Sequence, residues 1–196
     1  MAARAPVEAG GEEANGCVLS AKRPTGTVET ARLLLRPLTP GDVDAIFAII
    51  GDPIAMRHYA RSFTHEDARE WIERNLRRYE NDGHGIMAAV LKSSGELLGD
   101  CGIARQTVEG ETMLEAGYHL RRDHWGNGYA TEAARACIAS AFRDLGADKI
   151  VALIRPENVA SRRVAERNEM RPERQVMHTG LLHVLYVINR EEHGQA

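Results

Sequence analysis

Cysteine is scarce in this chain: three residues, Cys17, Cys101 and Cys137, stand far apart among 196. An odd number with no CxxC spacing argues against a disulfide framework and offers no zinc site. Cys101 and Cys137 lie in apolar surroundings and read as buried thiols, which suits a reducing, cytoplasmic compartment. A dominant charge of one sign is also missing. The net charge is −3, without the strong basic excess of a nucleic-acid binder. No apolar run reaches the length of a membrane span. The first residues lack a basic stretch followed by an apolar one, so they do not read as a signal peptide. The eight histidines show no metal-ligand spacing, and no metal is expected.

What is present fits an ordinary globule: 43% hydrophobic and 27% charged residues. The length suits one domain with a core of its own. Residues 1–27, rich in Ala, Gly and Glu, read as a mobile tail. Residues 28–190 read as the folded domain and residues 191–196 as a short frayed end. No internal repeat is visible.

Along the domain, Arg32 to Arg36 reads as a strand. Thr39 and Pro40 open a helix with Val43, Ile46, Phe47 and Ile50 on one side. Thr64 with Asp67 opens a second helix, whose apolar stripe is Ala68, Trp71, Ile72, Leu76 and Tyr79, and Gly83 closes it. Ile86 to Leu91 and Leu97 to Ala104 read as a hairpin turning at Ser93-Ser94-Gly95. Met113 to Leu120 is a further strand. A helix with Ala134, Ile138, Ala141, Phe142 and Leu145 on one face follows, stopped by Gly146. Lys149 to Ile154 is a strand, Asn158 to Asn168 a helix, and Arg174 to Ile188 a hairpin turning at Thr179-Gly180. Hairpins first and crossovers later predict an α/β fold with a mixed sheet and helices on its faces.

The informative stretch runs from Glu115 to Glu132. A strand enters the loop Trp125-Gly126-Asn127-Gly128, and the loop opens a helix. Glycines there let backbone N–H groups converge, and the helix start adds its positive end, so the place suits phosphate. Gly-x-Gly alone is also what a tight turn needs. Gly126-x-Gly128-x-x-Thr131 approaches the dinucleotide fingerprint, but its third position is Thr. Several strands precede the loop, and the next strand ends in Arg155-Pro156 without an acidic residue. No GxxxxGK[ST] run occurs, so a P-loop is excluded.

Here the sequence resembles a known family. Strand, loop and helix look like the pyrophosphate motif of the GNAT acetyltransferases, Q/R-x-x-G-x-G/A, with Gly128 and Ala130 at its two small positions. Trp125 stands where Gln or Arg is common. Glu115-x-Gly117-Tyr118 followed by Trp125-Gly126-x-Gly128-Tyr129-Ala130-Thr131-Glu132 is similar to the RimJ/RimL type, which acetylates N-termini of ribosomal proteins. A second run, Asn158 to Asn168, looks like the family's N-x-x-S-x-x-V-A-x-R-N. The likeness extends from about Arg32 to the C-terminus. It implies the acyl-CoA N-acyltransferase fold, a mixed sheet of about seven strands flanked by about four helices.

The resemblance also implies acetyl-CoA as cosubstrate and an amine as acceptor. The donor would be held by Tyr118, His119, Leu120, Arg121, Arg122, Trp125, Gly126, Asn127, Gly128, Tyr129, Ala130, Thr131, Asn158 and Ser161. Arg121 and Arg122 read equally as phosphate ligands or as a solvated basic patch, and Arg162 and Arg163 are similar, weaker candidates. A backbone N–H between Tyr118 and Leu120 would meet the thioester carbonyl, and Ser161 would protonate the leaving thiolate. Asn158 and Ser161 are equally an N-cap and a first-turn residue. Ala165 departs from the family, where Tyr is frequent, and this puts more weight on Ser161 or leaves the thiolate to water. Glu169 stands where Gly is frequent, so Asn168 is expected to take the left-handed turn. No unmistakable base is visible. Glu115 acting through water is the first candidate, His119 the second, and His178 and His183 follow. The expected acceptor is a protein N-terminal α-amine, such as that of a ribosomal protein. A polyamine, an antibiotic amine, or a non-catalytic acetyl-CoA-binding role stay open, as does a homodimer through sheet edges. Neither nucleic acid nor membrane is expected as a partner.

Overall fold

The computed structural model describes residues 26–61 and 63–193. The expected N-terminal tail, apart from Gly26 and Thr27, lies outside the described residues, as do residues 194–196. The order of elements is β1 (Val28–Glu29), β2 (Leu33–Pro37), α1 (Val43–Ile50), α2 (His65–Asp82), β3 (Ile86–Leu91), β4 (Leu97–Val108), β5 (Glu111–Leu120), α3 (Tyr129–Asp144), β6 (Lys149–Ile154), α4 (Val159–Arg167), β7 (Arg171–His178) and β8 (Leu181–Asn189). The sheet has eight strands rather than the seven expected, because the two-residue β1 pairs with Leu34 and Leu35. Pro40–Asp42 is a 3-10 turn leading into α1, so the α-helix starts later than the Thr39-Pro40 signal suggests. Asp42 explains the delay: its carboxylate accepts from the Thr39 N–H at 2.7 Å and pairs with Arg36. Past the last strand, Arg190–Glu192 form another 3-10 turn, and His193 packs its ring against Phe142.

Local chemistry sets several boundaries. Thr64 and Asp67 form a reciprocal capping box at the start of α2, and Gly83 ends the helix at φ 73°. At the end of α4 the left-handed residue is Glu169, at φ 64°, and not Asn168. Asn168 is buried and uses its side-chain amide to cap the Val164 carbonyl, which keeps it in the last helical turn.

The strand order is β1-β2-β3-β4-β5-β6-β8-β7, and every pairing is antiparallel except β5 with β6. α3 covers one face through Ala134, Cys137, Ile138 and Ala141, packed on Leu98, Cys101, Ile103 and Ile150. α1 and α2 cover the first half of the other face, where Ile46, Ile49 and Ile72 meet Ala88, Val90 and Leu97. The second half of that face is a smaller cluster of Val151, Leu185 and Val187. β3 is buried on both faces, which is why its sequence, Ile-Met-Ala-Ala-Val-Leu, shows no alternation.

Between the two halves the sheet opens. β5 and β6 keep a single paired position, Glu115 with Val151, and then diverge. The Arg121 N–H donates to Leu98 O at 2.8 Å, which fixes the alternation of the antiparallel β4–β5 ladder. The N–H groups of Tyr118 and Leu120 therefore point away from β4 and into the gap.

Asn75 in α2 ties that helix to the sheet. It is fully buried, its Oδ1 accepts from the Ile86 N–H at 3.0 Å, and its Nδ2 donates to Trp71 O at 2.9 Å. Removing it leaves a buried strand N–H without an acceptor. Asn75→Ala should lower stability by about 2–3 kcal/mol in urea unfolding; a change within about 0.5 kcal/mol would show that the contact is unimportant.

Candidate active site

A cleft of about 370 Å³ lies over the gap, bounded by the start of α3, by α4 and by the segment after α1. Of the residues expected at the donor site, Tyr118, His119, Leu120, Trp125, Gly126, Gly128, Tyr129, Ala130, Thr131, Asn158 and Ser161 all line it. Gly126 and Gly128 both take φ 81°, a left-handed backbone that strains any side chain. α3 has no side-chain cap. Its first N–H groups have no partner within the helix and sit at its positive end, on the cleft. Thr131 Oγ1 is buried beside them with no hydrogen-bond partner. These free donors fit the diphosphate of a coenzyme A molecule, with several bonds to charged oxygens worth roughly 1.5–3 kcal/mol each.

The loop is held from outside. Arg32 donates to the Asn127 carbonyl at 2.9 Å and lies over the Tyr129 ring at 4.4 Å. Glu132 accepts from Arg32 Nε at 2.7 Å, from the Arg32 N–H at 2.8 Å and from the Thr30 hydroxyl at 2.6 Å. Trp125 donates its indole N–H to Leu120 O at 2.9 Å, pinning the loop to the end of β5. Asn127 turns its amide back to the His124 carbonyl, so its side chain serves the turn.

Three of the expected donor residues lie off the cleft lining, Asn127 and two arginines. Arg121 pairs with Glu96 and Asp123, and Arg122 pairs with Asp52 at 3.1 Å; neither lines the cleft. Carboxylates within reach satisfy both guanidiniums. The arginines on the cleft are Arg57, Arg163 and Arg167. Arg167 is the arginine of the Asn158–Asn168 run, and Arg163 stands one turn before it on the same helix.

On α4, Asn158 Oδ1 accepts from the Ser161 N–H at 3.1 Å, so Asn158 is the N-cap and also lines the cleft. The Tyr118 hydroxyl donates to the Ser161 carbonyl at 2.9 Å and bridges the mouth of the gap. Ala165 is buried.

The opposite face of β5 carries the titratable groups. Glu115 lies off the cleft lining. Although part of it reaches solvent, protein surrounds its carboxyl, and burial pushes that carboxyl up to about 7 despite hydrogen bonds from the Leu153 backbone and Gln106. His119, four positions on, meets Tyr59 and the fully buried Asp100. Tyr59, Asp100 and Trp71 were not singled out by the sequence reasoning, although an aspartate inside the apolar run Leu97–Ala104 is a legible signal. Gln106 lies 3.3 Å from His178, and His183 stacks edge-on against His178, away from this group. Among the described residues no cluster of His, Cys, Asp or Glu is placed to hold a metal ion, and no helix is long and apolar enough to cross a membrane.

Comparison with known proteins places this geometry. The profile of the acetyltransferase (GNAT) domain matches residues 32–171. A Bacillus subtilis (strain 168) protein, the uncharacterized YkkB, is 42% identical over 139 residues, covering 70% of this chain and 81% of that protein. The crystal structure of a GNAT-family acetyltransferase from Bacillus anthracis aligns with TM-score 0.72 and 28% identity, covering 85% of this chain and 99% of that one. RimJ from Mycobacterium smegmatis, solved with CoA-disulfide, shares the fold at TM-score 0.63 and 22% identity, covering 84% of this chain and 85% of that one.

Two measurements test the site. Gly128→Val forces a branched side chain into the left-handed conformation, with its Cβ 3.5 Å from Arg32. Calorimetry should show CoA binding weakened by about tenfold or more, and unchanged affinity would remove the phosphate-loop assignment. Glu115 titrates from 4.5 when unfolded to about 7 when folded. The folded state therefore binds more protons, and stability falls as pH rises between those values. Glu115→Gln should remove that fall and gain up to about 3 kcal/mol at pH 8 over the parent; equal pH–stability curves for the two proteins would refute the raised carboxyl.

Proposed function

The chain belongs to the GNAT family and is an acetyl-CoA-dependent N-acetyltransferase; from that premise we propose that its acceptor is a protein N-terminal α-amine. The observation that carries the proposal is the gap between β5 and β6. It joins the donor cleft on one face of the sheet to the titratable groups on the other, so that donor and acceptor meet at backbone N–H groups.

Acetyl-CoA supplies an acetyl thioester. The N–H groups of Tyr118 and Leu120 are set to bind its carbonyl oxygen, and one such donor is worth about 2.7–4 kcal/mol to the transition state. Ser161 stands on the same cleft and is assigned the proton for the leaving sulfur, a role that a tyrosine on α4 would fill were Ala165 not in its place. Arg163 and Arg167 add positive charge on the donor side. A proton must leave the acceptor ammonium, and Glu115 and His119 are the two groups on that side of β5 able to take it. Glu115, off the cleft, would need water in between.

Energy favours the α-amine over a polyamine. An α-amine with pKa near 8 gives up its proton at pH 7 for about 1.4 kcal/mol, against roughly 4.6 for a lysine. A site with one modest base suits the former. The RimJ likeness supports the reading at the level of the fold. A cytoplasmic setting belongs to the same proposal, supported by Cys101 and Cys137, two free buried thiols 3.6 Å apart.

The test is thiol release from acetyl-CoA over a panel of peptides and small amines, with mass spectrometry locating the acetyl group. Peptides should be modified at the N-terminus, and Ser161→Ala should lower kcat more than it weakens CoA binding. Acetylation confined to polyamines or lysine side chains would overturn the acceptor assignment. Binding without turnover over the whole panel would favour a sensor.

A further inference from the structure

The loop after α1 brings Tyr59 across to His119, sixty positions later in the chain. Tyr59 Oη lies 2.5 Å from His119 Nε2. The other ring nitrogen, Nδ1, lies 2.8 Å from Asp100 Oδ1. The same Asp100 oxygen accepts the His119 backbone N–H at 3.1 Å, and its second oxygen accepts the Trp71 indole N–H at 2.8 Å. Asp100 is wholly buried, the His119 side chain is 14% exposed and Tyr59 is 46% exposed. The line thus runs from a sealed carboxylate, through one imidazole, to a phenol standing in the cleft.

Resting on the acetyl-transfer reading, we propose that Tyr59, His119 and Asp100 form the proton-accepting relay for the acceptor amine. Tyr59 touches the amine, His119 receives the proton, and Asp100 is the positioning residue. With His119 neutral, Nδ1–H donates to Asp100, which leaves Nε2 to accept from the Tyr59 hydroxyl. Asp100 thereby fixes the tautomer that can act as a base.

Position along β5 supports this. Side chains alternate, so Tyr118 points toward α4, where its hydroxyl meets Ser161, while His119 points to the opposite face. The backbone N–H groups for the thioester oxygen flank His119 on both sides. Tyr59 and His119 both line the cleft that holds the donor residues, so a base there stands beside the reacting carbon. Purely structural use of the pair is the weaker account. A buried carboxylate with three donors is costly to desolvate and seldom adds stability over apolar packing, and a structural histidine has no need of a half-exposed phenol.

The protons balance. The ammonium must lose two. The first passes to Tyr59 Oη as the Tyr59 hydroxyl proton passes to His119 Nε2, and the imidazolium later releases it to solvent. The nitrogen then bonds to the acetyl carbon, the carbon–sulfur bond breaks, and the second proton goes to the thiolate through the Ser161 hydroxyl.

The titratable or charged groups facing His119 are Tyr59 from its loop, Asp100 from β4 and Glu115 from its own strand; Trp71 from α2 meets it edge-on and uncharged. Burial pulls the imidazole pKa down, but Tyr59 and Asp100 outweigh it and hold it well above the usual value. Turnover should therefore rise with pH through the alkaline side of neutrality.

The experiment records kcat/KM against pH for wild type, Tyr59→Phe, His119→Gln and Glu115→Gln on the best acceptor of the panel, from about pH 6 to about pH 9. Tyr59 is half exposed and its ring survives in phenylalanine, so folding is not at issue. The wild-type profile should rise with two ionisations, that of the acceptor amine and that of His119. On the alkaline limb, where the imidazole is free to take a proton, Tyr59→Phe should cut kcat/KM by about ten- to a hundredfold and His119→Gln by about 10²–10⁴. His119→Gln should keep the acceptor's ionisation alone, with CoA affinity unchanged by calorimetry. A loss that only reflected packing would lower the whole profile and keep both ionisations. Full activity of Tyr59→Phe across the range, or a His119→Gln profile that keeps both ionisations, overturns the relay. Loss of the second ionisation in Glu115→Gln and not in His119→Gln overturns it in favour of Glu115. An inactive wild type removes the acetyl-transfer reading and the relay with it.

Discussion

The structure depends on two strands that stop pairing. β5 and β6 run parallel, touch at Glu115 and Val151, and separate. A sheet normally uses every backbone donor in its interior, because an unpaired buried N–H is costly. Here the N–H groups of Tyr118 and Leu120 face the gap without a strand partner. The separation is stable because other bonds take its load. Tyr118 reaches across to α4, Trp125 caps the Leu120 carbonyl, and the Arg121 N–H stays in the β4 ladder. The unpaired donors are thus fixed in direction before anything binds.

The second element is the proposed anion cradle, and most of its rigidity comes from outside. Glycine at Gly126 and Gly128 permits the backbone path but cannot hold it, since glycine has the most freedom to lose. Arg32 and Glu132 supply the restraint. They join the start of β2 to the first turn of α3 through bonds spanning about a hundred positions. Glu132 also places a carboxylate in the first helical turn, where the dipole favours it. It faces Thr30 and Arg32, so its charge is neutralised on the far side of the loop from the cleft.

Much of this is legible in the sequence, for physical reasons. Chemistry written in neighbouring residues survives translation into structure: the Thr64–Asp67 box, the Gly83 stop, the Gly126–Gly128 loop, the Asn158 cap beside Ser161. The donor-side residues come from two continuous runs, so their order already describes their arrangement. The acceptor side is different. Tyr59, Trp71, Asp100 and His119 come from a loop, a helix and two strands, and only tertiary packing unites them. Arg121 and Arg122 are the converse case. They are next to the loop in sequence, but Glu96, Asp123 and Asp52 claim them, and no local pattern reveals that. Asp100 was the readable clue: a carboxylate within Leu-Leu-Gly-Asp-Cys-Gly-Ile-Ala has to be paired, and pairing implies a partner worth locating.

The two faces of the gap carry opposite chemistry, and the proposed reaction asks for that. The donor brings phosphates and a carbonyl that gains negative charge, so its face offers N–H groups, a helix start and the guanidiniums of Arg163 and Arg167. The proposed acceptor brings a positive charge that has to be removed, so its face needs a proton acceptor that is not itself drowned in solvent. Burial pushes a carboxyl up, as it does at Glu115, to about 7. Asp100, fully buried, meets three donors from Trp71 and His119, which aim its oxygens at the imidazole. The sheet between the faces keeps the two environments apart everywhere except at Tyr118 to Leu120, where a single opening lets them act on the same carbon.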